Sequence, residues 1–178
     1  MLKNVSFLGL GVMGFPMAGY LAKAGFSTCV YNRTASKADD WQKQQPSTAQ
    51  TSTASTPALA VADAQIVCMC LGNDDDVRSV VYGDDGVLAN TTGSQTLALE
   101  LAQACRARNI GFIDAPVSGG QVGAESGQLT IMCGANVEDY ECTKPVLDVY
   151  SRHHQLLGDV GAGQLAKMMN QICIAGIV

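Results

Sequence analysis

The chain has 178 residues, long enough to bury a real core, and a composition of 47% hydrophobic and 15% charged residues excludes intrinsic disorder. Its 11 Lys and Arg stand against 16 Asp and Glu, a formal charge of −5, which lacks the basic footprint of a nucleic-acid binder. No apolar run is long enough to span a bilayer and MLKNVSFLGLG lacks a signal-peptide cleavage pattern, so a soluble, cytoplasmic protein is expected, with neither nucleic acid nor membrane as partner.

From the N-terminus, VSFLGL (5–10) is a short apolar run ending in glycines, which predicts a buried strand. Met13 to Ala24 carries Met13, Met17, Leu21 and Ala24 at helical spacing, with Gly25 as a stop. STCVYN (27–32) reads as a second strand, and 35–45 as a polar helix. The Ser/Thr-rich stretch 46–57 is surface with a weak edge strand, and Pro57 to Ala64 is a short helix. QIVCMCL (65–71) is a continuous β-type run of the kind covered on both faces. Asp74 can cap the helix that follows through Tyr82.

Thr96 to Asn109 reads as a helix with Leu97, Leu101 and Ala104 on one face, and IGFID (110–114) as a strand. LTIMCG (129–134) is another strand, Glu138 to Tyr150 a helix that can restart at Pro145, and HQLLG (154–158) a last strand. Gly163 to Val178 is apolar with helical patterning. Alternating units of this length imply an α/β fold: a Rossmann-type, doubly wound, mostly parallel sheet with helices on both faces. The seven Cys offer only one C-x-C, Cys68 and Cys70, and His153 and His154 are adjacent. Neither spacing is a metal framework, so the cysteines read as small buried hydrophobes and no metal is expected.

Gly9-Leu10-Gly11-Val12-Met13-Gly14 is G-x-G-x-x-G, placed directly after a predicted strand and opening a predicted helix. The first glycine allows the tight turn, the second lets a diphosphate approach the backbone, and the third permits close helix–strand packing. The helix N-terminus then offers N–H groups and partial positive charge to phosphates. An NAD-preferring site places an acid about 20 residues on, to hold the ribose 2′-OH. Here Asn32-Arg33-Thr34 follow the second strand with no acid among them. Arg33 would attract a 2′-phosphate, and Asn32 and Thr34 add hydrogen-bonding groups. NADP(H) is therefore expected, with NAD(H) as the second choice.

LGLGVMGFPMA (8–18), DAPVSGG (114–120) and GAGQLAKMMNQ (161–171) together resemble, in that order, the cofactor loop, substrate segment and catalytic helix of the β-hydroxyacid dehydrogenase family. That family includes 3-hydroxyisobutyrate dehydrogenase, tartronate semialdehyde reductase and glyoxylate/succinic semialdehyde reductase. The resemblance implies reversible NAD(P)-dependent oxidation of a small 3-hydroxy or 2-hydroxy acid. It makes Lys167 the general acid/base, although from helical spacing alone Lys167 reads as a surface lysine. Lys167, Asn170 and Gln171 share one helix face, and Gly163 would leave room there for a ligand.

The resemblance further assigns Ser118, Gly119 and Gly120 to the substrate, where the residues alone fit a plain turn equally well. Asn170 and Gln171 would lie beside the substrate, and the Asn-Gln form resembles the tartronate semialdehyde reductase branch. Leu71, Gly72 and Asn73 follow the fourth strand, where the family contacts its cofactor, and Thr91-Thr92 resembles its Ser/Thr pair near the nicotinamide. The division this implies is an NADP-binding domain over 1–162 and, over 163–178, the start of an interdomain helix. In the family that helix leads to an all-helical C-terminal domain, which closes the site and builds a homo-oligomer.

The sequence departs from the family pattern in two places. GDDGVLAN (83–90) runs straight into TTGS (91–94), with no apolar run between them, so a sheet strand is expected to be missing. At the far end, Ile172, Ile174, Ile177 and Val178 have no evident burial partner. A fragment of this kind should bind cofactor better than it turns over substrate. The competing readings are a non-catalytic dinucleotide-binding module, a 6-phosphogluconate dehydrogenase-like enzyme, which wants a basic phosphate-binding cluster, and an S-adenosylmethionine methyltransferase, whose ribose wants an acid where Arg33 stands.

Overall fold

A computed structural model describes residues 2–88 and 97–175. The chain divides into two compact units, Met1–Thr92 and Gly93–Val178.

The first unit is built on β1 (Asn4–Leu8), a strand with apolar side chains at Val5, Phe7 and Leu8, on both of its faces. Such a strand must be covered on both faces, and Val5, Phe7 and Leu8 are fully buried. Its one buried hydroxyl, Ser6 Oγ, donates to the Ala60 carbonyl at 2.5 Å, so no polar group is left unmet there. β2 (Ser27–Tyr31) lies parallel to β1 on one side and β4 (Ile66–Met69) on the other, and the short β3 (Thr51–Thr53) joins β2, giving the order β3-β2-β1-β4. α1 (Gly14–Lys23) buries Met17, Ala18, Leu21 and Ala22. α2 (Ala35–Lys43) buries Trp41, whose indole N–H donates to the Phe15 carbonyl at 3.1 Å. α3 (Pro57–Val61) is capped by Thr56, and α4 (Asp74–Tyr82) leads out of β4.

Two expectations change in this unit. The cap of α4 is Asn73, not Asp74: its side chain accepts from the Asp76 amide at 2.8 Å, one residue earlier than expected. The run at 65–71, expected to be covered on both faces, gives a strand that is only half-buried, with Met69 exposed. Among the described residues nothing pairs with β4 on the side away from β1, so the strand stands at a sheet edge. The strand expected to be missing after Asn90 falls on residues 89–96, which lie outside the described residues.

In the second unit α5 (Leu97–Arg106) precedes a sheet of β5 (Val117–Ser118), β6 (Leu129–Gly134) and β7 (Ser151–Gly158). β5 runs antiparallel to β6, and β6 runs parallel to β7. α6 (Gly120–Glu125) joins β5 to β6, and α7 (Val137–Tyr150), capped by Asn136, joins β6 to β7. α7 continues through Pro145 without restarting. α8 (Ala162–Ala175) packs on β6 and β7. The core is Leu129, Ile131 and Cys133 with Val146, Leu147 and Tyr150.

The segment 110–114, expected as a strand, forms only one bridge, Asp114 with Gly134. The reason lies in α7. The Phe112 amide donates to the Asp139 carboxylate at 3.1 Å, which takes the bond a neighbouring strand would have made. The α/β architecture and the mostly parallel pairing hold, but the described strands fall into two sheets rather than one.

Candidate functional site

In the first unit the glycine loop connects β1 to α1. Gly9 has φ +99°, and a Cβ there would strike the Cys70 carbonyl oxygen. A Cβ at Gly14 would strike the Gly9 carbonyl and lie 3.0 Å from the Phe7 ring, so this glycine lets α1 sit close on β1. Gly11 differs: nothing lies within 4 Å of a Cβ there, and both Gly11 and Val12 are exposed. The protein's own packing therefore excludes side chains at the first and third glycines and leaves the second facing open space. Met13 occupies the cap position of α1, with no side-chain cap bond and no acid in the first turn. The end of α1 keeps its positive partial charge for a ligand.

The loop is fastened on two sides. The Gly9 amide donates to the Tyr31 carbonyl at 2.9 Å, and the Leu10 amide to Asn32 Oδ1 at 2.9 Å. Asn32 Nδ2 donates to the Thr34 carbonyl at 3.1 Å, so the Asn32 side chain holds the end of β2 in shape. Leu71 reaches back over Gly9, with Cδ2 within 2.8 Å of where a Cβ would stand. The Cys70 thiol lies at the same place. Burial pushes it up, and a Gly14 amide bond partly offsets that.

Arg33 is 84% exposed and forms an ion pair with Asp76 of α4, Nη1 to Oδ1 at 2.8 Å. Thr34 is exposed at the start of α2. Asn73 Oδ1 is engaged as the cap of α4, and Gly72 is exposed. Thr91 and Thr92 lie outside the described residues.

The second unit carries the other predicted residues. Ser118 pairs with Thr130 of β6, and Gly119 and Gly120 both have positive φ, +121° and +59°, a geometry that favours glycine at each. On α8, Lys167 and Asn170 are half-buried and Gln171 is exposed. Gly163 does not leave room for a ligand, as the sequence implied. It is buried, and a Cβ there would strike the Met132 carbonyl and the Asp114 carbonyl and carboxylate. The space on that side of the first turn is filled by β6 itself. The face containing Leu165, Met168, Met169 and Ile172 is exposed and apolar. The side chains of Ile174, Ile177 and Val178 lie outside the described residues.

The sequence placed Asp114 at the end of a strand and at the head of the DAPVSGG segment, with no role of its own. It is 4% exposed, and its carboxylate accepts from the Gly161 amide at 2.6 Å and the Gln164 amide at 2.9 Å. Its backbone bonds Gly134 in both directions, at 3.1 and 2.9 Å. One residue thus ties the segment leading to Ser118, the end of β6 and the start of α8 together. The signal in the sequence is an acid 47 positions before the amide it caps, which no local pattern reveals. The same carboxylate adds to burial in pushing the Cys133 thiol up to about 11. Among the described residues no three His, Cys, Asp or Glu side chains gather as a metal site, and no helix is long and apolar enough to cross a membrane.

Residues 4–161 match the family described as the NAD binding domain of 6-phosphogluconate dehydrogenase. An uncharacterized oxidoreductase of Shewanella frigidimarina is 49% identical over 187 aligned positions, covering 99% of the chain and 63% of the relative. That span exceeds the chain's own 178 residues, so the relative has positions that this chain lacks. An NAD-dependent L-serine dehydrogenase of Pseudomonas aeruginosa is 35% identical, covering 98% of the chain and 60% of the relative. The solved 3-hydroxyisobutyrate dehydrogenase of Mycobacterium tuberculosis, with L-serine, superposes with a TM-score of 0.85 at 28% identity, covering 98% of the chain and 61% of that structure. The chain spans about three fifths of the length of these relatives.

Proposed function

The chain belongs to the family of the 6-phosphogluconate dehydrogenase NAD-binding domain, among 3-hydroxyisobutyrate dehydrogenase-like proteins, and from that premise we propose that it is the nucleotide-binding part of an NADP(H)-dependent oxidoreductase. Its reaction interconverts a small 3-hydroxy or 2-hydroxy acid and the corresponding semialdehyde or keto acid. The observation that carries the reading is the glycine loop: two glycines that admit no side chain flank one facing open space, beside a helix end without a protein cap. A diphosphate fits that opening in charge and in room.

The residues divide the work. Gly9, Leu10, Gly11, Val12, Met13 and Gly14 form the backbone cradle for the diphosphate, and Asn32 fixes the loop against β2. Arg33 holds the 2′-phosphate, with Thr34 beside it. Leu71, Gly72 and Asn73 border the loop, and Thr92 is assigned to the nicotinamide side by resemblance. The bound dinucleotide supplies the hydride acceptor or donor. Ser118, Gly119 and Gly120 hold the substrate carboxylate through a hydroxyl and exposed amides. In oxidation neutral Lys167 Nζ would take the hydroxyl proton and, now charged, stabilise the alkoxide that loses hydride; in reduction the ammonium would return the proton to the alkoxide that forms. Asn170 and Gln171 orient the lysine or the substrate. Two relatives support the same class: one is an L-serine dehydrogenase and the other was solved with L-serine, itself a 3-hydroxy acid.

Calorimetric titration of NADPH and NADH into the chain tests the first half. Binding of either supports it, and absence of heat with both overturns it. Turnover of small semialdehydes and keto acids, followed by NADPH absorbance, tests the second. Lys167→Ala is expected to lower kcat about 10²–10⁴-fold with cofactor affinity retained. Equal turnover by both proteins would remove Lys167 from the mechanism. A second reading, a binding module without turnover, is favoured by the exposed apolar face of α8. Tight binding with no turnover of any substrate in the panel would select it.

A further inference from the structure

We propose that Asp76 is a cofactor-specificity residue that opposes NADPH and supports NADH through its contact with Arg33. This rests on the dinucleotide reading above. A nucleotide that discriminates by its adenosine ribose carries either a 2′-phosphate or a 2′-hydroxyl, and the two want opposite surroundings. The phosphate wants a cation and no anion, whereas the hydroxyl wants an acceptor, commonly a carboxylate. The segment after β2 supplies a cation and no acid. The fold brings the acid from elsewhere: Asp76, 43 residues further on, lies 2.8 Å from the Arg33 guanidinium.

The acid is the fixed member of the pair. Asp76 sits in the first turn of α4, its amide is held by Asn73 Oδ1 at 2.8 Å, and its side chain is 28% exposed. Gly72 leaves it room, since a Cβ there would lie 3.1 Å from Asp76 Oδ2. Arg33 is the exposed member, on a long stem and largely in solvent. Its position is set by Asn32, which ties the end of β2 to the glycine loop. A 2′-phosphate placed on Arg33 therefore meets the Asp76 charge at close range, and the guanidinium must divide its N–H donors between two anions. A 2′-hydroxyl meets no such penalty and can donate to the same carboxylate.

The test measures binding, not turnover. Kd values for NADPH and NADH are taken by calorimetry for wild type, Asp76→Asn and Asp75→Asn. Asp76→Asn keeps the shape and removes the charge. It is expected to move the ratio of the two Kd values toward NADPH by about tenfold, about 1.4 kcal/mol. Asp75→Asn removes the same formal charge one residue earlier, where the structure gives no contact with Arg33, and should move the ratio less than about twofold. A ratio unchanged in Asp76→Asn, with both nucleotides bound, overturns this proposal and leaves the dinucleotide reading standing. Equal shifts in the two variants also overturn it, because the effect would then be general charge rather than contact. Failure of wild type to bind either nucleotide overturns both.

Discussion

Two helices begin beside close backbone contacts in this molecule, and they begin differently. α1 starts after the glycine loop with no side-chain cap and no acid in its first turn, and Gly11 beside it faces open space. α8 starts against β6, and its first amides are already met by the buried carboxylate of Asp114. Both use glycine for close approach: Gly14 lets α1 reach β1, and Gly163 lets α8 reach Met132. The difference is who supplies the anion. At α8 the protein supplies it, so that end of the helix is an anchor, and the residues proposed for the chemistry, Lys167 and Asn170, lie half-buried further along. At α1 no side chain caps the helix and no acid stands in its first turn, and the proposed diphosphate would supply the anion there.

The largest effect is expected at the anchor. Asp114→Ala removes a buried acceptor from the Gly161 and Gln164 amides, and should destabilise the protein by roughly 3 kcal/mol in urea titrations. Asp114→Asn keeps one accepting oxygen and should cost about half as much. A loss below about 0.5 kcal/mol in the alanine variant would show that α8 is not anchored there. Next comes the packing glycine of the open end. Gly14→Ala pushes a methyl group into the Gly9 carbonyl and should lower stability by about 2–3 kcal/mol, measured the same way.

Gly11→Ala sharpens the comparison, because its methyl group enters empty space. The variant should melt like wild type within about 0.5 kcal/mol and yet bind NADPH about tenfold more weakly. Were it to lose stability and keep affinity, the opening beside α1 would not be the nucleotide site.

The first unit was largely legible because its signals are local. A mainly apolar strand, a glycine loop and a helix follow one another within the first 23 residues, and β1, the loop and α1 stand close to where the periodicity places them. The sites that escaped depend on long-range contacts. Asp76 meets Arg33 across 43 residues, and Asp114 meets Gln164 across 50. A single sequence shows that such acids exist and says nothing of which amide or guanidinium they reach. The failed strand at 110–114 has the same origin, since its apolar pattern is right but the Asp139 side chain takes the Phe112 amide. Gly163 was misread for a related reason: helical spacing identifies its face, but not that β6 lies against it.

The smallest expected effect compares the thiols beneath the two helix starts. Burial raises both Cys70 and Cys133. A backbone amide lowers each again, Gly14 at Cys70 and Gln155 at Cys133, but only Cys133 also faces a carboxylate, Asp114, which raises it further, to about 11. The folded protein holds the Cys133 proton more tightly than the unfolded chain, whose thiol titrates near 9.0. The stability this contributes is complete below pH 9.0 and is lost as the pH rises through about 11. Melting temperature should therefore fall across that window, and Cys133→Ala should flatten the fall more than Cys70→Ala does. Tyr140, also raised by burial, adds a slope of the same sign, so the fall should shrink without vanishing. If Cys70→Ala flattened the profile as much as Cys133→Ala, the Asp114 carboxylate would not act on the thiol beside it, and the contrast between a self-supplied anion and a borrowed one would lose its electrostatic support.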